Sequence, residues 1–109
     1  PGPMVENTID IITCNNPSGN EIFDLTVNDI EAIGSQIAAD VTISYHNSLS
    51  DAQLGLNPIA DPANYIGNET YPEIIHIRIE DVASGTCSDV DTFNLDVMMC
   101  LMMELKCLI

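Results

Sequence analysis

Alternation of apolar and polar residues along one segment restricts the fold of this chain more than any other feature of its sequence. From residue 75 to residue 80 the order is Ile75, His76, Ile77, Arg78, Ile79, Glu80. Successive side chains of a β-strand point to opposite faces of the sheet. The pattern therefore predicts a strand with a buried row of isoleucines and an exposed row of polar side chains.

Further strands are predicted on both sides of this segment. Residues 40–46 and 91–97 alternate in the same way, and shorter apolar runs occupy residues 9–14 and 22–26. The segments 75–82 and 91–97 are separated by a short polar turn, so they are predicted to form a long antiparallel hairpin. One buried face per strand is typical of a β-sandwich, in which two such faces pack together.

Two short helices are predicted between the strands. Asn28 and Glu31 have the spacing of a capping box, and Gly34 follows where a helix of two turns would end. Ser50 begins a second, weaker box that is followed by Gly55. We therefore predict an all-β fold, an antiparallel β-sandwich of six to seven strands in which one or two short helices cross between strands.

The charge of the chain restricts its partners. Its 109 residues are enough for one domain, and its 17 acidic residues are accompanied by only two basic residues, for a formal net charge of −15. Such a surface repels phosphates and anionic lipid head groups, so we expect no nucleic-acid partner and no membrane insertion. Divalent cations or cationic surfaces fit better. The alternative is a charge that serves only solubility or adaptation to salt.

The two ends of the chain differ from its middle. Residues 1–7 begin Pro-Gly-Pro-Met and are predicted to be a cloning-derived or linker segment. Residues 8–97 carry the strand pattern and form the predicted module. Residues 98–109 form an apolar tail rich in Met and Cys. This tail is either non-native sequence or an amphipathic segment that packs on a partner, for example through self-association with a second copy.

From about residue 12 to residue 97 the sequence resembles a tandem repeat of large Bacteroidetes surface proteins, the gliding-motility adhesins exported by the type IX secretion system. The matching strings occur in order: Ile22-Phe23-Asp24-Leu25-Thr26, Val41-Thr42-Ile43-Ser44-Tyr45-His46, Ile75-His76-Ile77-Arg78-Ile79-Glu80-Asp81, Gly85-Thr86-Cys87 and Thr92-Phe93-Asn94-Leu95-Asp96-Val97. The resemblance implies an Ig-like sandwich, an extracellular position at the cell surface, and a structural or adhesive role. It implies neighbouring repeats and an external surface or polysaccharide as partners.

Two of the four cysteines lie inside the segment that resembles the repeat. Cys14 and Cys87 each flank a polar turn, and a disulfide between them would tie the ends of the module together. Closing a loop of that size would add on the order of 4 kcal/mol of stability. The alternative is two buried free thiols. Cys100 and Cys107 lie in the tail, and their pairing is left open.

Calcium is the candidate ligand of the module. In many of these repeats the loop after the first cysteine is rich in Asp, but here it holds neutral side chains, which bind calcium poorly by themselves: Asn15, Asn16, Ser18 and Asn20. Carboxylates cluster instead around the final hairpin turn, at Glu80, Asp81, Asp89 and Asp91. Either these four converge on calcium or they form a solvated acidic loop.

The sequence carries no arrangement typical of an enzyme. A nucleophile elbow and a phosphate-binding glycine loop are both missing from it. His46 and His76 are predicted on exposed strand faces without a convergent partner. The predicted function is therefore a non-catalytic structural or adhesive module. The alternative is a calcium- or carbohydrate-binding module, although three of its five aromatic rings are predicted to be buried by the alternation.

Overall fold

The computed structural model describes residues 2–14, 21–68, 70–85, 87–101 and 106–108, except for the side chains of 99–101 and 106–108. The strands are β1 (Ile11–Cys14), β2 (Ile22–Phe23), β3 (Val41–His46), β4 (Tyr65–Ile66), β5 (Glu73–Asp81), β6 (Ser88–Leu101) and β7 (Lys106–Leu108). The helices are α1 (Val27–Ile33) and α2 (Leu49–Leu54), with single 3-10 turns at Ala38–Asp40 and Pro62–Asn64. The fold is β-rich, as predicted. The polar loop predicted at residues 15–20 lies outside the described residues.

The main sheet has the strand order β1-β6-β5-β3, and β7 pairs with the end of β6. β5 and β6 form the predicted antiparallel hairpin, in which Ile75 lies opposite Phe93. β2 and β4 form a separate two-stranded antiparallel sheet. The prediction of purely antiparallel pairing is wrong, because β1 joins β6 in parallel. A parallel pair needs a long crossover connection, and the rest of the module supplies it here.

The inner face of the main sheet carries the core. Its rows of apolar side chains pack against α1, the segment before β1 and the small sheet, and the buried members are Val5, Phe23, Leu25, Ala32, Tyr45, Ile75, Ile77, Ile79, Phe93 and Leu95. The predicted inward row of β5 is therefore confirmed. Burial of an Ile, Leu or Phe side chain contributes roughly 1.5–3 kcal/mol, so this cluster supplies the main driving force for folding.

The outer face of the same sheet is covered where exposure was predicted. His46 is fully buried, Arg78 is 8% exposed, and His76 is partly buried. The prediction of an exposed polar row in β5, and of an exposed His46 in β3, is therefore wrong. The physical reason is α2, which contacts both β3 and β5. Arg78 donates to the carbonyl oxygens of Ala52 and Gln53 in this helix, at 2.9 and 2.8 Å.

Both predicted helices form, but their N-caps differ from the predictions. Thr26 precedes α1 and makes no side-chain cap, whereas Asn28 lies within the helix and is fully buried. Asn28 instead bonds to the backbone of Ile9 through both amide atoms. The cap of α2 is Ser48 in place of Ser50, and it accepts from the backbone of the third helical residue. Gly55, which follows the second predicted box, ends α2 in the left-handed conformation.

Strand β6 continues beyond the predicted end of the module. It runs to Leu101, and Cys14 has Met98 as its partner in the parallel ladder. The boundary predicted after Val97 thus falls inside a strand of the main sheet. Across the described part of the chain, no helix combines the length and the apolar character that a bilayer crossing would require.

Candidate functional site: the hairpin end of the sheet

Cys87 lies at the end of the sheet where β5 turns into β6. Its thiol is free and its side chain is exposed. The backbone of Cys87 is held by two hydrogen bonds, since its carbonyl oxygen accepts from the Asp81 amide at 2.9 Å and its own amide donates to Ser84 Oγ at 3.3 Å. A free thiol on a hydrogen-bonded stretch of backbone is thus exposed to solvent at one tip of the module.

Cys14 lies at the other end of β6 and is disulfide-bonded. The predicted Cys14–Cys87 disulfide is wrong, because Cys87 is a free thiol. In the β1–β6 ladder Cys14 lies opposite Met98, near the end of β6. Cys87 directly precedes the first residue of β6. At about 3.3 Å per residue, the eleven residues from Cys87 to Met98 separate the two cysteines by roughly 36 Å. Disulfides need Cα atoms within about 7 Å of each other. The partner of Cys14 lies outside the described side chains.

The four carboxylates predicted to bind calcium are divided between the two faces of the hairpin. Glu80 shares the outer face with Arg78 and forms an ion pair with it at 2.6 Å. Asp89 lies on the inner face, where its Oδ2 accepts from the Val5 amide at 2.9 Å. Asp81 and Asp91 also alternate away from Glu80. In the part of the chain that is described, no three His, Cys, Asp or Glu side chains are placed to hold a metal ion.

A cleft of about 440 Å³ opens at the same end of the sheet. It lies between the N-terminal segment, the 3-10 turn before β3 and the end of β5, and it is lined by Gly2, Pro3, Met4, Glu6, Ser35, Gln36, Ile37, Asp40, Val41 and Asp81. A Cβ atom placed on Gly2 would lie 3.7 Å from Cys87 Cβ. The free thiol is therefore adjacent to the N-terminal wall of this cleft. No residue pattern in the sequence predicts this cleft.

The two histidines form a cross-strand pair under α2. His46 lies directly opposite His76 in the β3–β5 ladder. Nδ1 of His46 is 2.7 Å from the Leu56 carbonyl oxygen, so this nitrogen carries the hydrogen, and Nε2 lies 2.8 Å from Ser44 Oγ. Among the described atoms, Nδ1 of His76 is buried without a hydrogen-bond partner. Burial, together with the neighbouring His46, lowers the pKa of His76.

Three tyrosine–carboxylate pairs join the small sheet and α1 to the rest of the core. Tyr45 donates to Asp29 at 2.5 Å, and Tyr71 donates to Glu21 at 3.3 Å. Tyr65 donates to Glu73, whose carboxylate is almost fully buried. Burial and this carboxylate raise the pKa of Tyr65 to about 12. Each pair gives a buried or partly buried carboxylate a hydrogen-bond donor. No residue spacing in the sequence predicts these pairs.

The chain is similar to a known protein family. The model of a family described as the Flavobacterium inter-domain disulphide bond domain matches residues 10–101. The chain belongs to this family. No curated protein matches the chain, and no solved structure does.

Membership in the Flavobacterium inter-domain disulphide bond family supports part of the resemblance drawn from the sequence. It agrees with an origin among the Bacteroidetes, and its description concerns a disulphide bond between domains. The matched segment begins just before β1 and ends with β6, so it includes both Cys14 and Cys87. Of the cysteines whose side chains are described in the matched segment, Cys87 is the one with a free, exposed thiol.

Proposed function

We propose that this chain is a non-catalytic structural module that is joined to a neighbouring domain by a disulfide from Cys87. One observation carries the proposal: the family is described by an inter-domain disulphide bond, and Cys87 is free and exposed at one tip of the module. Cys14 is already disulfide-bonded and lies at the opposite end of β6. Cys87 is therefore the described thiol that a second domain can reach.

The linkage would form by thiol–disulfide exchange. The Cys87 thiolate attacks one sulfur of a mixed disulfide that the partner cysteine shares with an oxidoreductase. As the new S–S bond forms, the old one breaks, and the displaced thiolate leaves with its electron pair and takes up a proton. Disulfides of this kind persist in oxidising compartments. We accordingly place the module outside the cell, at the cell surface, with neighbouring repeats of the same chain as its partners.

The strand order supports an Ig-like arrangement within this proposal. In Ig constant-type domains one sheet contains strands C, F and G, and the other contains B and E. Here β3, β5 and β6 are adjacent in the main sheet in that order, and β2 pairs with β4. A series of such modules braced by disulfides would make a stiff stalk, which suits a surface adhesin or a gliding-motility protein that contacts an external surface or polysaccharide.

Limited proteolysis tests this function. The protein is secreted with its flanking domains, as wild type and as the Cys87→Ser variant, and is then cut in the segments between domains. We expect the wild-type fragments to stay together without reductant and to separate with it, whereas the Cys87→Ser fragments separate in both conditions. Separation of the wild-type fragments without reductant would contradict the proposal. A Cys14→Ser variant is the control for a disulfide at the other end of β6.

A further inference from the structure

We infer that the cleft beside Cys87 is the docking site for a basic segment of the neighbouring domain, the segment that carries the partner cysteine. This inference rests on the proposed function and adds to it the surface that the partner occupies and the chemistry by which it is selected. Three features of the molecule support it: the position of the thiol at the cleft, the charge of the cleft walls, and the apolar side chains at its rim.

Two residues that line the cleft also lie next to Cys87. Asp81 lines the cleft, and its amide donates to the carbonyl oxygen of Cys87 at 2.9 Å. Gly2 also lines the cleft, and a Cβ atom placed on it would lie 3.7 Å from Cys87 Cβ. A peptide lying in the cleft would therefore pass next to the thiol, and a cysteine within that peptide would be positioned for exchange.

The cleft walls attract a cation. Three carboxylates line the cleft, from Glu6, Asp40 and Asp81, and none of the described lining residues is basic. Arg78 lies on the other face of the sheet, where Glu80 and two carbonyls of α2 bind it. A concave surface lined by one sign of charge raises the local concentration of oppositely charged partners. The partner segment should therefore carry Lys or Arg beside its cysteine.

The rim of the cleft adds apolar contact area. Met4 is 53% exposed and Ile37 is 66% exposed, and both line the cleft. Val82 follows Asp81 directly and is 57% exposed. Apolar side chains next to a polar cleft are typical of an interaction site, in which a central apolar contact is surrounded by charged pairs. The occupant is thus a basic segment that also contributes an apolar side chain.

The test measures how fast Cys87 exchanges with two peptide probes. The probes are Lys-Cys-Lys and Glu-Cys-Glu, each activated as a mixed disulfide with 5-thio-2-nitrobenzoate, and each reaction with the full chain releases the coloured thiolate. Cys87→Ser protein reports reaction at any other cysteine and is subtracted. At an ionic strength of about 0.1 M, where the Debye length is about 10 Å, we expect the basic probe to react at least about tenfold faster than the acidic probe. The ratio of the two rates cancels changes in the reactivity of the thiol itself.

Matched variants separate the cleft from the overall negative charge. Asp40→Asn/Asp81→Asn removes two charges from the cleft, and Asp51→Asn/Asp61→Asn removes two charges beyond the other end of β3. We expect the rate ratio to fall at least about threefold in the cleft variant and to change little in the control, because exposed charges beyond about 10 Å are screened. Equal rates for the two probes, or an equal loss in both variants, would overturn the inference.

An apolar arm of the test uses a third probe, Lys-Cys-Leu, with Ile37→Ser and the similarly exposed Leu54→Ser as its control. We expect only Ile37→Ser to remove the advantage of the leucine probe. These outcomes do not depend on whether Cys87 is cross-linked in the native protein. A reduced Cys87 in that protein would overturn the proposed function, and with it the partner cysteine, while the probes still report whether the cleft selects basic segments. The absence of probe selectivity would overturn the docking site and leave the proposed function standing.

Discussion

Arg78 donates a hydrogen bond from Nη1 to the carbonyl oxygen of Ala52 at 2.9 Å, and thereby joins the outer face of the main sheet to the end of α2. The same nitrogen donates to Gln53, and Nη2 is paired with Glu80. The last carbonyls of a helix have no partners within the helix, so a buried guanidinium satisfies them at the same time as they satisfy it. This contact explains why a charged residue is buried at a position where strand alternation predicts exposure.

Arg78→Met should therefore destabilise the module. The substitution keeps much of the apolar stem but removes every donor from two helix-end carbonyls, and we expect a loss of about 2–4 kcal/mol in the free energy of unfolding. Urea denaturation of both proteins measures it. Glu80→Gln is the matched control, because the Gln side chain keeps an oxygen that can accept from Arg78 and the replaced side chain is 34% exposed. We therefore expect a smaller loss, of about 1 kcal/mol. A loss from Glu80→Gln as large as that from Arg78→Met would contradict this role of the helix carbonyls.

Asn28 should be equally sensitive, for a different reason. Its side chain is fully buried, accepts from the Ile9 amide at 2.7 Å and donates to the Ile9 carbonyl oxygen at 3.0 Å. Asn28→Ala would leave both backbone groups without a partner, so we expect a loss of about 2–3 kcal/mol. Exposed Asn7 provides the control substitution, Asn7→Ala, which should change stability by less than about 0.5 kcal/mol. Thermal unfolding that fails to distinguish the two variants would count against the anchoring role.

The histidine pair should make the module less stable in mild acid. The pKa of His76 is lowered in the folded protein by burial and by His46, so the unfolded chain binds a proton more readily. Stability is then fully present above the unfolded pKa of about 6.5 and is lost as pH falls toward the lower folded pKa. We expect the melting temperature to drop between about pH 7.5 and pH 5. A His76→Gln variant should show a shallower drop, and an identical pH profile in the variant would exclude His76 as the cause.

Much of the sheet could be predicted from local pattern. Strands β3, β5 and β6 follow from strict alternation, because a period of two requires one buried face. The inner face of β5 and the helix between Asn28 and Gly34 were predicted for the same local reasons. Position along the chain, however, does not show which non-adjacent strands pair. The parallel pairing of β1 with β6 is such a non-adjacent contact. It places Cys14 beside Met98, far from Cys87, and so excludes a disulfide between the two cysteines.

The second face of the sheet could not be predicted because it depends on a tertiary contact. His76 and Arg78 are polar, so alternation assigns them to solvent, but α2 covers them and supplies carbonyl partners. The same limit applies to the site. Cys87 is visible in the sequence, whereas its position at a cleft depends on where the N-terminal segment and the turn before β3 meet.

The proposed function requires Cys87 to form a disulfide with another domain. The most direct test isolates the protein from its native source without reductant, blocks free thiols with N-ethylmaleimide, and maps the disulfide-linked peptides by mass spectrometry. We expect the Cys87 peptide to be linked to a cysteine outside residues 1–109, in a neighbouring domain. Recovery of the Cys87 peptide fully alkylated, or linked to Cys14, would contradict it.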